Sequence, residues 1–168
     1  MSELTGDELE RQVLALLQAE GRLTCDEVAG RLGAAADGVA EAMKKLHDDK
    51  VILGYQAIVD PDKTGNGTAL SIIEVRVTPQ RDMGFDTIAK RIYKFPEVKS
   101  CYLMSGAYDL LLIVEGRTLR EVAEFVAEKL STLEHVQSTT THFLLRKYKE
   151  AGVLFHDDEE IDRLAISP

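Results

Sequence analysis

The sequence predicts an α+β chain in two parts, and three observations carry that prediction. Apolar residues recur at helical spacing through the first stretch, turn-forming residues crowd into positions 60–67, and strand and helix patterns then alternate from residue 70 onward. The first part has the outline of a winged-type helix-turn-helix, and the second that of a ferredoxin-like βαββαβ domain. The expected division is 1–60 for the helical domain with a connecting strand, 61–68 for a linker, 69–149 for the second domain and 150–168 for a tail.

Leu9, Val13, Leu16 and Leu17 mark the first helix, behind Asp7 as a candidate N-cap and ahead of Gly21 as a left-handed stop. Thr24-Cys25-Asp26-Glu27 is a capping box, in which hydroxyl and carboxylate satisfy amide donors reciprocally. It opens a helix that buries Val28, Ala29 and Leu32 and breaks at Gly33. A third helix is expected from about Asp37, with Val39, Ala40, Met43 and Leu46 on its apolar face. Three short helices with a tight glycine-containing turn before the last are the outline of a helix-turn-helix, with a plain three-helix bundle as the lesser alternative. Val51 to Val59 is rich in β-branched and aromatic residues and reads as a wing or connecting strand. Asp60 to Gly67 is the most turn-dense segment of the chain.

In the second part, Leu70 to Val77 alternates as a strand, with Ile72, Glu74 and Arg76 on one side and Ile73, Val75 and Val77 on the other. Residues 82–93 read as a helix burying Phe85, Ile88, Ala89 and Ile92. Val98–Met104 and Tyr108–Val114 read as strands joined by the Ser105-Gly106-Ala107 turn. Thr118 to Glu121 is a second capping box, opening a helix through Leu130, and a last strand runs from Val136 to about Lys147. This order places both helices on one face of a four-stranded antiparallel sheet and leaves the other face bare, which favours back-to-back pairing of two copies. From Glu150 the chain reads as a solvated acidic extension containing His156 and ending in apolar Leu164–Ile166.

Composition narrows the function. The first apolar residues are interrupted by Glu3, Asp7, Glu8, Glu10 and Arg11, so no secretory signal is expected. Nor does any stretch approach the roughly 18 uninterrupted apolar residues of a membrane span. Cys25 and Cys101 are far apart and lack CxxC spacing, so neither a disulfide framework nor a zinc site is expected, and a reducing cytoplasm is. His47, His135, His142 and His156 are scattered outside any catalytic motif. Cys25 at a helix start has no recognisable base partner, and no glycine-rich phosphate loop is present. No enzyme, cofactor or metal centre is expected.

The net charge is −9. Nucleic-acid binders draw most of their non-specific affinity from basic side chains that displace counterions from phosphates. In residues 1–60 the six Lys and Arg stand against twelve Asp and Glu, leaving −6. The expected third helix opens on Ala34-Ala35-Ala36-Asp37-Gly38-Val39-Ala40-Glu41, without the Arg, Lys, Asn or Gln that commonly read base edges.

Several local patterns in order resemble one family. They are Gly21-Arg22-Leu23-Thr24, Val51-Ile52-Leu53-Gly54-Tyr55, Pro96-Glu97-Val98, Gly106-Ala107-Tyr108-Asp109-Leu110-Leu111 and Thr139-Thr140-Thr141. Together they look like the Lrp/AsnC regulators, over roughly residues 7–150, whose C-terminal domain is called RAM. The resemblance implies a homodimer, often built up to tetramers or octamers, that binds DNA through paired N-terminal domains. It also implies an amino acid or related small effector held between RAM domains of neighbouring dimers.

On that expectation the effector residues are Met104, Ser105, Gly106, Ala107, Tyr108, Asp109, Thr139 and Thr141. Turn amides suit a carboxylate, Asp109 suits an ammonium group, and the two threonines share a strand face. The plainer alternatives are a simple hairpin turn at Gly106, an Asp109 that satisfies backbone amides, and threonines chosen for β-propensity. The DNA-facing candidates are Ala36, Asp37, Gly38, Lys44 and Lys45, with Lys50 nearby. Two functions follow: an effector-responsive DNA-binding transcriptional regulator, or a metabolite-binding oligomer whose acidic helix-turn-helix serves dimerisation or protein docking.

Overall fold

The structure is a computed structural model that describes residues 6–65, 67–78 and 84–155. The chain divides into two compact units, residues 1–57 and 58–168.

The first unit is three helices: α1 (Gly6–Ala19), α2 (Cys25–Leu32) and α3 (Ala36–Asp48). Their core is Val13, Leu17, Val28, Ala29, Val39, Ala42 and Leu46, with Ile52 and other half-buried apolar residues packed against it. The capping box at α2 forms as expected: Glu27 N–H donates to Thr24 Oγ1, and Thr24 N–H donates to the Glu27 carboxylate. Four expectations are corrected. Asp7 lies inside the first turn of α1 rather than capping it. Gly21 is not left-handed; a Cβ there would come within 3.2 Å of the Tyr55 ring, so glycine at this position makes room for Tyr55. Helix α3 starts at Ala36, after an Ala35 whose side chain caps nothing. Its buried face uses Ala42 and not Ala40, which is exposed, because Ala42 lies three residues from Val39 and four from Leu46.

The expected wing or strand at 51–59 is extended but forms no ladder. Val51 and Ile52 N–H both donate to Leu46 O, which folds the chain back over the end of α3. Beyond that point no described strand lies alongside it, so its β-propensity goes unused and Leu53 is 87% exposed.

The second unit opens with a single helical turn, α4 (Pro61–Thr64), inside the stretch expected to be linker. Asp60 caps it by accepting from Asp62 N–H, and Pro61 occupies the first position, where its missing N–H costs nothing. The sheet then forms from β1 (Ala69–Val77), β2 (Val98–Leu103), β3 (Leu110–Gly116) and β4 (Val136–Phe143) in the order β2-β3-β1-β4, all antiparallel. Helices α5 (Phe85–Ile92) and α6 (Leu119–Glu124), with the helical turn that continues α6, cover one face, burying Ile88, Ile92, Val122 and Phe125 against Ile73, Val75, Val77, Leu110, Leu112 and Val114. Ser71 is the one buried polar residue among those described, and its hydroxyl donates to Val114 O. The fold is the expected ferredoxin-like one.

Differences from expectation are local. The helix after α6 widens into a π-helical turn over Phe125–Leu130. Phe125 and Leu130 are both buried, yet five residues of α-helix would set them about 140° apart. The wider turn brings them onto one face. At α6 only half of the expected capping box forms, since the Glu121 carboxylate accepts from Arg117 N–H rather than from Thr118. Strand β4 stops at Phe143, although Leu144 N–H still donates to Leu70 O. Where a solvated extension is expected, β5 (Lys149–Glu150) and β6 (Val153–Leu154) make a small hairpin. Ala151 and Gly152 at its tip both have positive φ, the geometry of a two-residue hairpin turn. His156 and Leu164–Ile166 lie outside the described residues.

Candidate functional site

The β2–β3 connection is closed by Met104 N–H donating to Asp109 O at 2.8 Å. Gly106 sits at φ +145°, a conformation that L side chains rarely adopt, and space beyond it is open. Ser105, Gly106 and Ala107 are exposed, and the amides of residues 105–108 donate to no described protein group. The turn therefore presents a short run of free N–H donors, which is what a carboxylate requires.

Asp109 is held differently. Its Oδ2 accepts from Val77 N–H at 2.8 Å, and its own N–H donates to Val75 O. One carboxylate oxygen thus ties the turn to the end of β1, where the β1–β4 register shifts between Arg76 and Val77. The backbone-satisfying role named for Asp109 is the one its Oδ2 performs here.

Thr139 and Thr141 stand opposite Val75 and Ile73, so both lie on the helix-covered face and are half-buried. They share a face as expected. The threonines and the turn meet the same end of the sheet, but on strands that flank β1, roughly 10 Å apart at ordinary strand spacing. Two cavities in this unit, of about 560 Å³ and 330 Å³, are lined by none of the eight expected effector residues. One chain brings these residues to one region without enclosing them.

On α3, Asp37, Lys44 and Lys45 are exposed as expected, as is Ala36, while Gly38 is half-buried against Leu9. Both lysines are engaged. Lys44 pairs with Asp48 one turn on, and Lys45 Nζ meets Glu10 of α1 at 2.7 Å. Each partner hydrogen-bonds and stabilises the ammonium, raising the lysine above its ordinary pKa. Arg31 is bound by both oxygens of Glu20, and Arg11 by Glu8. Of the six cations in this unit only Arg22 and Lys50 make no ion pair among the described residues.

Two features escaped the sequence reading. Glu10–Lys45 spans 35 residues, and only the packing of α1 on α3 creates it. Arg22, in the turn before α2, makes no close ion pair among the described residues and acts on Glu27 only through its charge; its sequence signal is its place in the Gly21-Arg22-Leu23-Thr24 pattern between two helices. On the bare sheet face Ile72, Leu111 and Ile113 are half-buried, Tyr102 is 49% exposed, and His142 Nε2 lies 3.3 Å from Glu74 Oε1. Among the described residues no helix is long and apolar enough to cross a membrane, and no cluster of His, Cys, Asp or Glu could hold a metal ion.

Comparison with known proteins agrees with this architecture. Residues 6–52 match the winged helix-turn-helix DNA-binding family, and residues 70–154 match the Lrp/AsnC ligand binding domain. The chain is 43% identical over 162 residues to the HTH-type transcriptional regulator YugG of Bacillus subtilis, covering 96% of this chain and 98% of that one. It is 30% identical over 145 residues to the leucine-responsive regulatory protein of Rhizobium meliloti, covering 86% and 92%. A Neisseria meningitidis transcriptional regulator solved as its L-Met complex superposes with a TM-score of 0.70 at 27% identity, covering 86% and 92%. The Escherichia coli AsnC structure, at 21% identity and a TM-score of 0.66 with 84% and 93% covered, shares the fold. The chain belongs to the Lrp/AsnC family of transcriptional regulators, with a helix-turn-helix DNA-binding domain and a ligand-binding domain.

Proposed function

We propose that the protein is a cytoplasmic, homo-oligomeric regulator whose effector is an amino acid, held by the 105–108 amides and completed by a second copy of the chain. The run of unengaged N–H donors beside the left-handed Gly106 carries this reading. The free oxygen of Asp109 accepts from the effector's ammonium group, while Oδ2 keeps the turn anchored to Val77. The Thr139 and Thr141 hydroxyls, too far across the sheet to join the same small molecule in one chain, contribute from the neighbouring copy. Two sequence-similar regulators, one leucine-responsive by name and one solved with L-Met, support the effector class.

Oligomerisation uses surfaces that one chain leaves open. The apolar centre of the bare sheet face pairs back to back with a second copy, and the extended 51–59 segment offers unpaired backbone to a neighbour. Effector binding across such contacts changes assembly, and with it DNA binding, by a coupling typically of about 1–3 kcal/mol.

A thermal-shift and calorimetric screen of the twenty amino acids tests this. At least one should stabilise the protein, by about 2.7 kcal/mol at a hundredfold excess over Kd. Thr139→Val, which removes a hydroxyl and little volume, should weaken that binding about tenfold while leaving the free protein's melting temperature unchanged. A screen in which no amino acid shifts the melting temperature contradicts the proposal.

A further inference from the structure

The exposed ridge of α3 offers a base reader of unusual sign. Val39, Ala42 and Leu46 are buried, and at about 100° per residue the opposite ridge is Asp37, Glu41, Lys44 and Asp48, all exposed. Lys44, the one cation on that ridge, is tied to Asp48 toward the C-terminal end of the helix. Asp37 and Glu41 make no side-chain hydrogen bond or ion pair among the described residues. A recognition helix meets base edges with its N-terminal residues. The first two turns of this one present acceptors and the methyl groups of Ala36 and Ala40, with no side-chain donor.

The major groove answers a carboxylate selectively. Guanine shows N7 and O6 and thymine shows O4, all acceptors that repel it. Adenine shows the N6 amine, but beside the N7 acceptor. Cytosine shows the N4 amine with no acceptor of its own on that edge. Asp37 is short and sits in the first helical turn, where unpaired backbone amides and the helix dipole already favour its charge. Glu41 lies one turn further in and has the longer reach.

We infer that Glu41 is a specificity-determining residue of the operator-binding surface, accepting a hydrogen bond from the N4 amine of a cytosine in each half-site. The inference rests on the DNA-binding reading and adds the base that the helix selects. It has a second consequence. The Glu41 carboxylate is repelled by the phosphates of every sequence, so it lowers affinity for all DNA and least for DNA that offers it an amine.

In vitro selection from a randomised duplex library at low salt, with the full chain and its Glu41→Gln and Glu41→Ala variants, tests this. Position 41 is exposed, and both replacements are good helix formers, so the helix should persist. The wild type should enrich half-sites with C·G at one position by about fivefold or more over other pairs. Glu41→Gln, whose amide can bond adenine N6 and N7 together, should move that position to A·T and leave the rest of the motif unchanged. Glu41→Ala should lose preference there and bind random duplex more tightly than the wild type. Identical motifs from all three proteins would overturn the inference and leave DNA binding standing. No enrichment by any of them would remove the DNA-binding reading itself, and this inference with it.

Discussion

The two units treat the polar groups of their candidate binding surfaces, the α3 lysines in one and the 105–108 amides in the other, in opposite ways. In the helical unit four of six cations are locked onto carboxylates, two of them on the helix that should face a polyanion. In the sheet unit the turn that should face a small anion keeps its amides unengaged, and its one carboxylate is bound through a single oxygen. Overall charge is therefore a poor guide to either surface. A net charge of −9 covers both a turn whose amides are unengaged and a helix whose lysines are already paired.

The largest effect is expected at a buried core position. Leu112, fully buried between the sheet and its helices, should cost about 2–5 kcal/mol on replacement by Ala. Chemical denaturation should show that loss, with any effector-dependent stabilisation lost alongside it. Amide exchange protection in α1–α3 should persist, because their buried core is made within residues 1–57. Collapse of both units together would contradict the separation.

A smaller effect sharpens the contrast in how ion pairs are used. Glu97 is held below the ordinary carboxylate range, first by its hydrogen bond from Lys129. A carboxylate lowered on folding contributes stability that is present at neutral pH and lost as pH falls through its folded value. Glu97→Gln should therefore be less stable than the wild type near pH 7, and the gap should narrow on acidification below the ordinary carboxylate range. Parallel stability curves for the two proteins would show that the pair contributes nothing.

Much of the architecture was legible because its signals are local. The alternation of Ile73, Val75 and Val77 assigned β1 and its buried face, and Thr24 with Glu27 fixed the start of α2. Helix α3 was displaced because Ala35 supplies no cap, and Ala40 and Ala42 are indistinguishable by residue type. The Ala151-Gly152 turn lacks the Asn-Gly or Asp-Gly signature that announces a hairpin. At the functional surfaces the decisive contacts are long-range. Lys45 meets Glu10 across 35 residues, and Asp109 meets Val77 across 32. Sequence chemistry named Lys45 and Asp109 as candidates, while only the fold shows that each already has a partner.

Salt dependence of DNA binding tests the central contrast most directly. The slope of log K against log salt should be shallow for the wild type, roughly −0.9 for each phosphate met by Arg22 and Lys50, the two cations of the helical unit that no close ion pair holds among the described residues. A Glu10→Gln/Asp48→Asn variant, which releases Lys45 and Lys44, should bind random duplex more tightly and steepen the slope by about 0.9 per lysine released. A wild-type slope already steep, and unchanged in the variant, would contradict the account of a helical unit whose cations are held by its own acids.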